Sequence, residues 1–447
     1  MNTNKVKITL VGGGSVNWSP KLINDLMLKE GLGKAEFILL DIDLPAAEKI
    51  AQLGRKLNKD RGLSCSFEAT NDEESAFKDT NYIIITITTG GLEAMEYDLK
   101  IPEEYRIYQT VGDTVGPGGW ARGLRNIPVF AKMAKKIEKL SPHAVVLNYT
   151  NPMATLTKTF YKVSKLRTVG LCHGVFGTYR ILMEIFNLKE ENEMKVNFGG
   201  TNHFFWVIDF KVKGEDGYKL LREKLKGRSL SELVKEIHKD EIGFQSRIQI
   251  TSELLEHFGY LTYVDRHISE FFPYYLTLNE NKLKDYGLHR TSIKERREGK
   301  KEAEQRLQNL IEGKEKLPDK PSREIAADII SAMEMGKEFV DVVNLPNQGQ
   351  ISNLPKGSIL ETPGLINVNG FRPITVGKLP PQILNLVLPH VQNQDMIIEA
   401  GLSGDWDKAS YSLYNDPLCS HLSYPKIKEM GKKLLEANRK YLPQFFS

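Results

Sequence analysis

Three consecutive glycines, Gly12-Gly13-Gly14, followed by Ser15, stand directly after a short apolar stretch, Val6 to Val11, and ahead of a helical one, Pro20 to Lys29. No other feature narrows the fold so much. Glycines there permit a tight turn and let backbone N–H groups approach a pyrophosphate at a helix N-terminus. A second strand pattern, Glu36 to Asp41, ends in a carboxylate. At that place an acidic side chain accepts hydrogen bonds from a ribose 2′-OH, which favours NAD over NADP. The turn departs from G-x-G-x-x-G, because Asn17 holds the third glycine's place. The order strand, glycines, helix, strand, acid still assigns dinucleotide binding to Gly12, Gly13, Gly14, Ser15 and Asp41.

The alternation continues with helix-like Ala46 to Lys56, strand-like Tyr82 to Thr88, a helix from Ile127 to Leu140, and a strand from Ala144 to Asn148. A helix from Thr155 to Val163 and a strand from Thr168 to Cys172 follow. This spacing predicts an α/β protein built on a Rossmann-type, doubly wound parallel sheet. After about residue 195 the pattern changes. Lys195 to Gly199 and Phe204 to Lys213 read as antiparallel strands, and 218–240, 241–258, 293–313 and 321–338 as charged helices. Pro and Gly then mark loops and short strands between Leu345 and Pro381, and 382–442 is mostly helical. The expected division is a dinucleotide-binding domain over 1–195 and a C-terminal α+β domain over 196–447, with no linker between them.

The 447 residues carry 61 basic and 57 acidic side chains, a net charge of +4. So even a balance gives no reason to expect nucleic acid. The densest basic run, Lys294 to Lys301, is interleaved with Glu and reads as a solvated helix face. Three cysteines, Cys65, Cys172 and Cys419, are odd in number and far apart, which fits a reducing compartment better than a disulfide scaffold. No apolar run approaches the roughly 20 residues of a membrane span, and no secretory signal precedes the first strand. The expectation is a cytoplasmic protein with no membrane partner.

Four further segments carry chemistry. Gly112-Asp113-Thr114-Val115-Gly116-Pro117-Gly118-Gly119 reads as a glycine-rich loop holding one carboxylate. Asn148-Tyr149-Thr150-Asn151-Pro152-Met153 and Cys172-His173-Gly174 follow predicted strands, where α/β sheets bind ligands. Asn202-His203 precedes the antiparallel strands. Thiolate and imidazole both bind first-row divalent ions, so Cys172 and His203 are either metal ligands or a core thiol and a hydrogen-bonding imidazole.

In this order the segments resemble glycoside hydrolase family 4, the NAD- and metal-dependent glycosidases that depart from the two-carboxylate scheme. The likeness runs from the Gly12 turn to Asn344-Leu345-Pro346-Asn347-Gln348-Gly349. Within the family it is nearest the α-galacturonidases, carried by Val111 to Gly119, Asp265-Arg266-His267-Ile268-Ser269-Glu270-Phe271 and Asn347-Gln348-Gly349-Gln350. The resemblance implies a lactate/malate dehydrogenase-like sheet and hydrolysis of terminal α-galacturonides such as digalacturonate. The implied route is oxidation at C3 by NAD, deprotonation at C2, elimination, water addition and re-reduction. A carbonyl polarised by a divalent metal makes the C2 proton removable by an ordinary side chain. The resemblance implies Cys172 and His203 as ligands of Mn2+ or another divalent metal, Asn151 and Asp113 facing the sugar, and Asp265 as the C2 base, with Tyr263 as its rival. His173 is a candidate acid. Arg266 or His267 would meet a uronate carboxylate, with Arg122 and Arg125 as rivals, since the planar guanidinium matches a carboxylate. Family members are commonly dimers or tetramers, so a homo-oligomer is expected.

Phospho-sugar members of the family have Arg-Val-Gly-Gly where this chain has Thr88-Thr89-Gly90-Gly91, and a second Arg a few residues on, where it has Met95. Without those cations a dianionic phosphate is poorly held. An α-glucuronidase and a neutral α-glucosidase or α-galactosidase of the same family stay open. So does an NAD-dependent 2-hydroxyacid dehydrogenase, which would accumulate NADH where the glycosidase recycles it.

Overall fold

The computed structural model describes residues 5–237 and 242–446. The strands are β1 (Lys7–Val11), β2 (Glu36–Leu40), β3 (Ser66–Thr70), β4 (Tyr82–Ile85), β5 (Val145–Asn148), β6 (Arg167–Gly170), β7 (Met194–Thr201), β8 (Phe204–Val212), β9 (Glu215–Asp216), β10 (Phe339–Pro346), β11 (Ile359–Asn367) and β12 (Gly370–Pro373). They form one sheet in the order β3-β2-β1-β4-β5-β6-β10-β11-β7-β8-β9, with β12 on β11. The first six run parallel. Their order, with the direction of strand addition reversing between β1 and β4, is that of a doubly wound sheet, and the crevice at that switch point is where such sheets bind ligands.

The cause is visible in the strands. Ile8, Leu10, Phe37, Leu39, Ile83, Ile84, Val146 and Leu147 are all buried, as parallel strands covered on both faces must be. Register aligns Leu10 with Leu39 and with Ile84, so the branched side chains pack in layers. The sheet continues past residue 195. Antiparallel β10 joins β6 through Asn344 and Gly170, and β11 joins β7 through Glu361 and Gly200. These two narrow joints lie beside the carboxyl end of β6, which delivers Cys172.

Several boundaries differ from the sequence expectation. The helix expected at Ile127 begins at Gly116 and runs to Leu140, so Gly116–Gly119 is its buried first turn rather than part of a loop. Those glycines serve close approach. A Cβ on Gly119 would lie 2.4 Å from the Thr114 carbonyl carbon, and one on Gly118 would lie 2.9 Å from the Gly112 oxygen. The strand expected to reach Thr88 ends at Ile85. Edge strand β3 and the helix Gly91–Glu104 were not anticipated, because β3 is half polar and the helix carries Pro102. The stretch 218–240 contains two helices, Gly217–Leu225 and Leu230–Ile237, separated where Lys226 and Gly227 take positive φ. Its last residues, 238–240, and the first of the stretch 241–258 lie outside the described residues. No helix among the described residues is long and apolar enough to cross a membrane.

One buried ion pair locks two helices beside the site. Arg125 of the long helix donates from both terminal nitrogens to Asp98 of Gly91–Glu104, at 2.8 and 2.5 Å, and both side chains are fully buried. Burial pushes the Asp98 carboxyl up, and Arg125 only partly offsets it. Asp98→Ala strands a guanidinium in the core and is expected to cost about 3–5 kcal/mol of stability, the range for breaking one partner of such a pair. Urea unfolding of the variant checks this. A loss below about 1 kcal/mol, the worth of an exposed pair, would mean that water reaches Arg125.

Candidate functional site

The turn after β1 is built as the glycines require. Gly12 sits at φ +86°, and a Cβ there would lie 2.6 Å from the Thr86 carbonyl oxygen. The N–H groups of Gly12 and Gly13 both donate to Leu40 O, which ties the turn to β2. The Gly14 N–H donates to Asp41 Oδ2 at 2.9 Å and the Asp43 N–H to Oδ1 at 3.0 Å, so backbone fixes the Asp41 carboxylate at the strand's end. Ser15 Oγ accepts from the Trp18 N–H, and the helix starts at Ser19, four residues later than Ser15. Beside Asp41, Ile42 is fully exposed and offers an apolar wall at the rim. The turn, the fixed acid and the switch-point crevice fit a dinucleotide.

The second focus is Asp113. Thr114 Oγ1 donates to Asp113 Oδ1 at 2.7 Å, and Asn151 Nδ2 donates to Oδ2 at 3.2 Å. Thr114 Oγ1 also lies 3.0 Å from His203 Nδ1. The threonine has one proton, already given to Asp113, so it accepts from Nδ1–H, and His203 is left with its lone pair on Nε2. Burial, and then the charge of His267, pushes His203 down to about 3. It is therefore neutral, as a metal ligand must be. Its ring stacks on Tyr263, with centroids 5.3 Å apart, and meets His267 at 4.2 Å.

His267 bridges two carboxylates. Its Nδ1 is 2.9 Å from Asp265 Oδ1 and its Nε2 is 3.7 Å from Asp113 Oδ1. Burial lowers its pKa, but the Asp265 hydrogen bond and the Asp113 charge outweigh that and raise it. Asp113 shows the converse. Burial alone would raise it, yet His267, Arg122 and His203 bring it far below the usual carboxylate range. Asp113, His203 and His267 place three potential ligand atoms within 4.8 Å of one another.

Cys172 stands outside that triad. Its Sγ accepts from the Gly174 N–H at 3.4 Å and is bonded by Asn202. Burial, then Glu361, pushes the thiol well above its ordinary value. A divalent cation is what reverses such a shift, since a coordinated thiol is deprotonated outright. Neutral His203 and the shielded Cys172 both lie near Tyr263, and each offers a donor type that suits a soft-to-borderline divalent ion. His173 sits at the rim, its ring half-exposed, 3.4 Å from Glu324 and packed near Trp18. The two rival arginines separate. Arg125 is spent on Asp98, while Arg122 donates to Asn151 O and Thr88 Oγ1 and lies beside Asp113.

Four residues went unsingled in the sequence. Buried Glu270 accepts from the Val111 and Gly112 N–H groups at 2.7 and 2.8 Å, tying the Asp113 loop to the Asp265 segment. Glu361 of β11, raised to about 7 by burial, accepts from Asn202 and Asn344 at 2.9 and 3.0 Å and holds Asn202 against Cys172. Thr114 orients His203. Arg296 lies within electrostatic reach of Asp113 and Arg266. Thr114 carried a sequence signal as the neighbour of Asp113, and Glu270 as a member of the Asp265–Phe271 segment.

Comparison with known proteins gives a consistent result. Residues 7–188 match the model of the Family 4 glycosyl hydrolase, and residues 198–419 match the Family 4 glycosyl hydrolase C-terminal domain. An alpha-galacturonidase of Bacillus subtilis (strain 168) is 36% identical over 425 residues, covering 93% of each chain. The crystal structure of lplD from Bacillus subtilis is 32% identical and superimposes with a TM-score of 0.86, covering 96% of this chain and 100% of that one. The 6-phospho-beta glucosidase of Thermotoga maritima, solved with manganese, NAD+ and glucose-6-phosphate, shares the fold at a TM-score of 0.80 and 23% identity, covering 98% and 99% of the two chains.

Proposed function

The chain belongs to the family 4 glycosyl hydrolases and is a glycosidase, and from that premise we propose that it removes terminal α-galacturonic acid from short oligogalacturonides with NAD and a divalent metal such as Mn2+. The observation that carries this reading is the hydrogen-bonded chain Asn151–Asp113–Thr114–His203, joined by His267 to Asp265, beside the crevice that receives the Gly12 turn. A bound nicotinamide supplies a reversible hydride acceptor for C3, and a bound metal supplies Lewis acidity to the neighbouring oxygens.

The chain's own residues do the rest. Gly12, Gly13, Gly14, Ser15 and Asp41 hold the dinucleotide, and Cys172 with the free Nε2 of His203 holds the metal. Asp113 and Asn151 fix sugar hydroxyls. Asp113 stays ionised because His267 and Arg122 stabilise its charge, so it accepts hydrogen bonds and is a poor proton donor. Asp265 takes the C2 proton. Its hydrogen bond to His267 orients it toward a proton already acidified by an adjacent carbonyl. His173, at the rim with Glu324, protonates the departing oxygen. The carboxylate of the uronide falls to Arg266, since His267 is already taken between Asp265 and Asp113.

Hydrolysis of digalacturonate under reducing conditions, with NAD+ and Mn2+ each supplied or withheld, tests the reading. Galacturonate should be released only when both are present, with no net NADH. Cleavage of a neutral α-galactoside in its place would move the substrate. Steady NADH formation without cleavage would make the protein a dehydrogenase.

A further inference from the structure

The helix Ile293–Glu312 is polar along almost its whole length; only Ile293, Leu307 and Leu310 are buried. Most charges of its basic run have local partners. Glu295 closes a capping box with Ser292, Arg297 reaches Glu96 at 3.1 Å, Lys294 lies 3.9 Å from Glu298, and Lys300 lies 3.7 Å from Glu304. Arg296 departs from that pattern. Its Nε is closed off from solvent and has no hydrogen-bond partner among the described residues. Its charged neighbours lie across the site: Asp113, Arg266 and Glu270, besides Glu295 on its own helix.

The helix end that carries it is fixed. Ile293 packs on Met95 and Leu99 of Gly91–Glu104, the helix that follows β4. The carboxylates in reach are engaged elsewhere. Asp113 accepts from Thr114 and Asn151, Glu270 from two backbone N–H groups and Thr110, and Glu295 from Ser292 while lying 3.0 Å from His289. A largely buried guanidinium without a carboxylate against it is costly. Here a second guanidinium, that of Arg266, stands near it. Two like charges held near each other beside the sugar-facing Asp113 define a place for an anion, and the planar fork of arginine fits a carboxylate.

We propose that Arg296, together with Arg266, binds the substrate's carboxylate and sets the preference for a uronide over the matching neutral hexoside. This assignment rests on the uronide reading above. It places the specificity residue on a helix far along the chain from the Thr88–Gly91 segment that lacks cations.

The test compares wild type, Arg296→Gln and Arg296→Lys in the holoenzyme, on a galacturonide and on its methyl ester, which keeps the sugar and removes the charge. Thermal melting confirms that each variant is folded. Arg296→Gln should raise KM for the galacturonide about 10- to 100-fold, the range for losing a hydrogen bond to a charged group. Its kcat should hold, and it should lose the preference over the ester. Arg296→Lys should recover part of it. An equal fall on both substrates would make Arg296 a partner of Asp113 and overturn the assignment, as would an unchanged preference. Failure of wild type to prefer the charged substrate would instead sink the uronide reading, and this inference with it.

Discussion

Asp265→Asn is expected to slow turnover by about 10²–10⁴-fold, the usual worth of a general base, and to stop exchange of the C2 hydrogen with solvent deuterium. Substrate affinity should change little. The substitution is close to isosteric, and its amide oxygen can still accept the His267 N–H that Asp265 now takes at 3.3 Å, so the start of the 3-10 helix Arg266–Phe271 survives. What disappears is a carboxylate able to take a proton. Tyr263 is the alternative base, and its surroundings argue against it. Burial, and then the charge of Asp265, pushes its phenol well above 10, so it carries its proton at neutral pH. It also lies flat against His203, a packing role that needs no ionisation. Mass spectrometry of galacturonate released in deuterium oxide reads the exchange directly. Undiminished C2 labelling in Asp265→Asn would transfer the base to Tyr263, and Tyr263→Phe would then have to abolish it.

What could be read from the sequence, and what could not, follows from the range of the interactions involved. Gly12 and Asp41 announce themselves because a turn and a strand end are local events, decided by residues a few places apart. Asn151 and Cys172 were legible as polar residues after parallel strands, where such a sheet presents its ligands, and His203 as a polar residue beside the antiparallel strands. The start of the long helix was misread because glycine usually signals a loop. Here Gly118 and Gly119 are selected by the backbone atoms pressed against them. Glu270 was invisible as an anchor, since it holds N–H groups about 160 positions away in sequence. Arg296 was hidden by its setting. In a helix of interleaved Lys, Arg and Glu, the sequence does not mark which guanidinium loses its solvent, and the packing of Ile293 on Met95 and Leu99 lies about 200 positions away in sequence. The likeness to a family supplied roles for Asp113 and Asp265. The structure adds the proton bookkeeping among Thr114, His203 and His267 that no spacing contains.

Cys172→Ser is expected to abolish glycoside cleavage and to weaken Mn2+ binding by more than about 100-fold, beyond the 10- to 100-fold typical of residues that merely support a ligand. NAD binding should stay within a few-fold of wild type, because the Gly12 turn and Asp41 share no hydrogen bond with Cys172. The prediction discriminates between two donor sets that meet at His203. One is Cys172 with His203. The other is the triad of Asp113, His203 and His267, whose ligand atoms already lie together. The raised pKa of His267 speaks against the triad, since the Asp265 hydrogen bond and the Asp113 charge favour its protonated form, which has no lone pair to give. His203, by contrast, is neutral and aims a free Nε2 away from Thr114. His203→Ala should therefore destroy metal binding under either arrangement, and Cys172→Ser only under the first. Cobalt substitution gives an independent reading, because a cysteine ligand produces a thiolate-to-metal charge-transfer band that serine cannot. If Cys172→Ser kept full Mn2+ affinity and the cobalt protein lacked that band, the metal would belong to the triad. His267 would then have to surrender its proton on binding, and Asp265 would lose the partner that orients it.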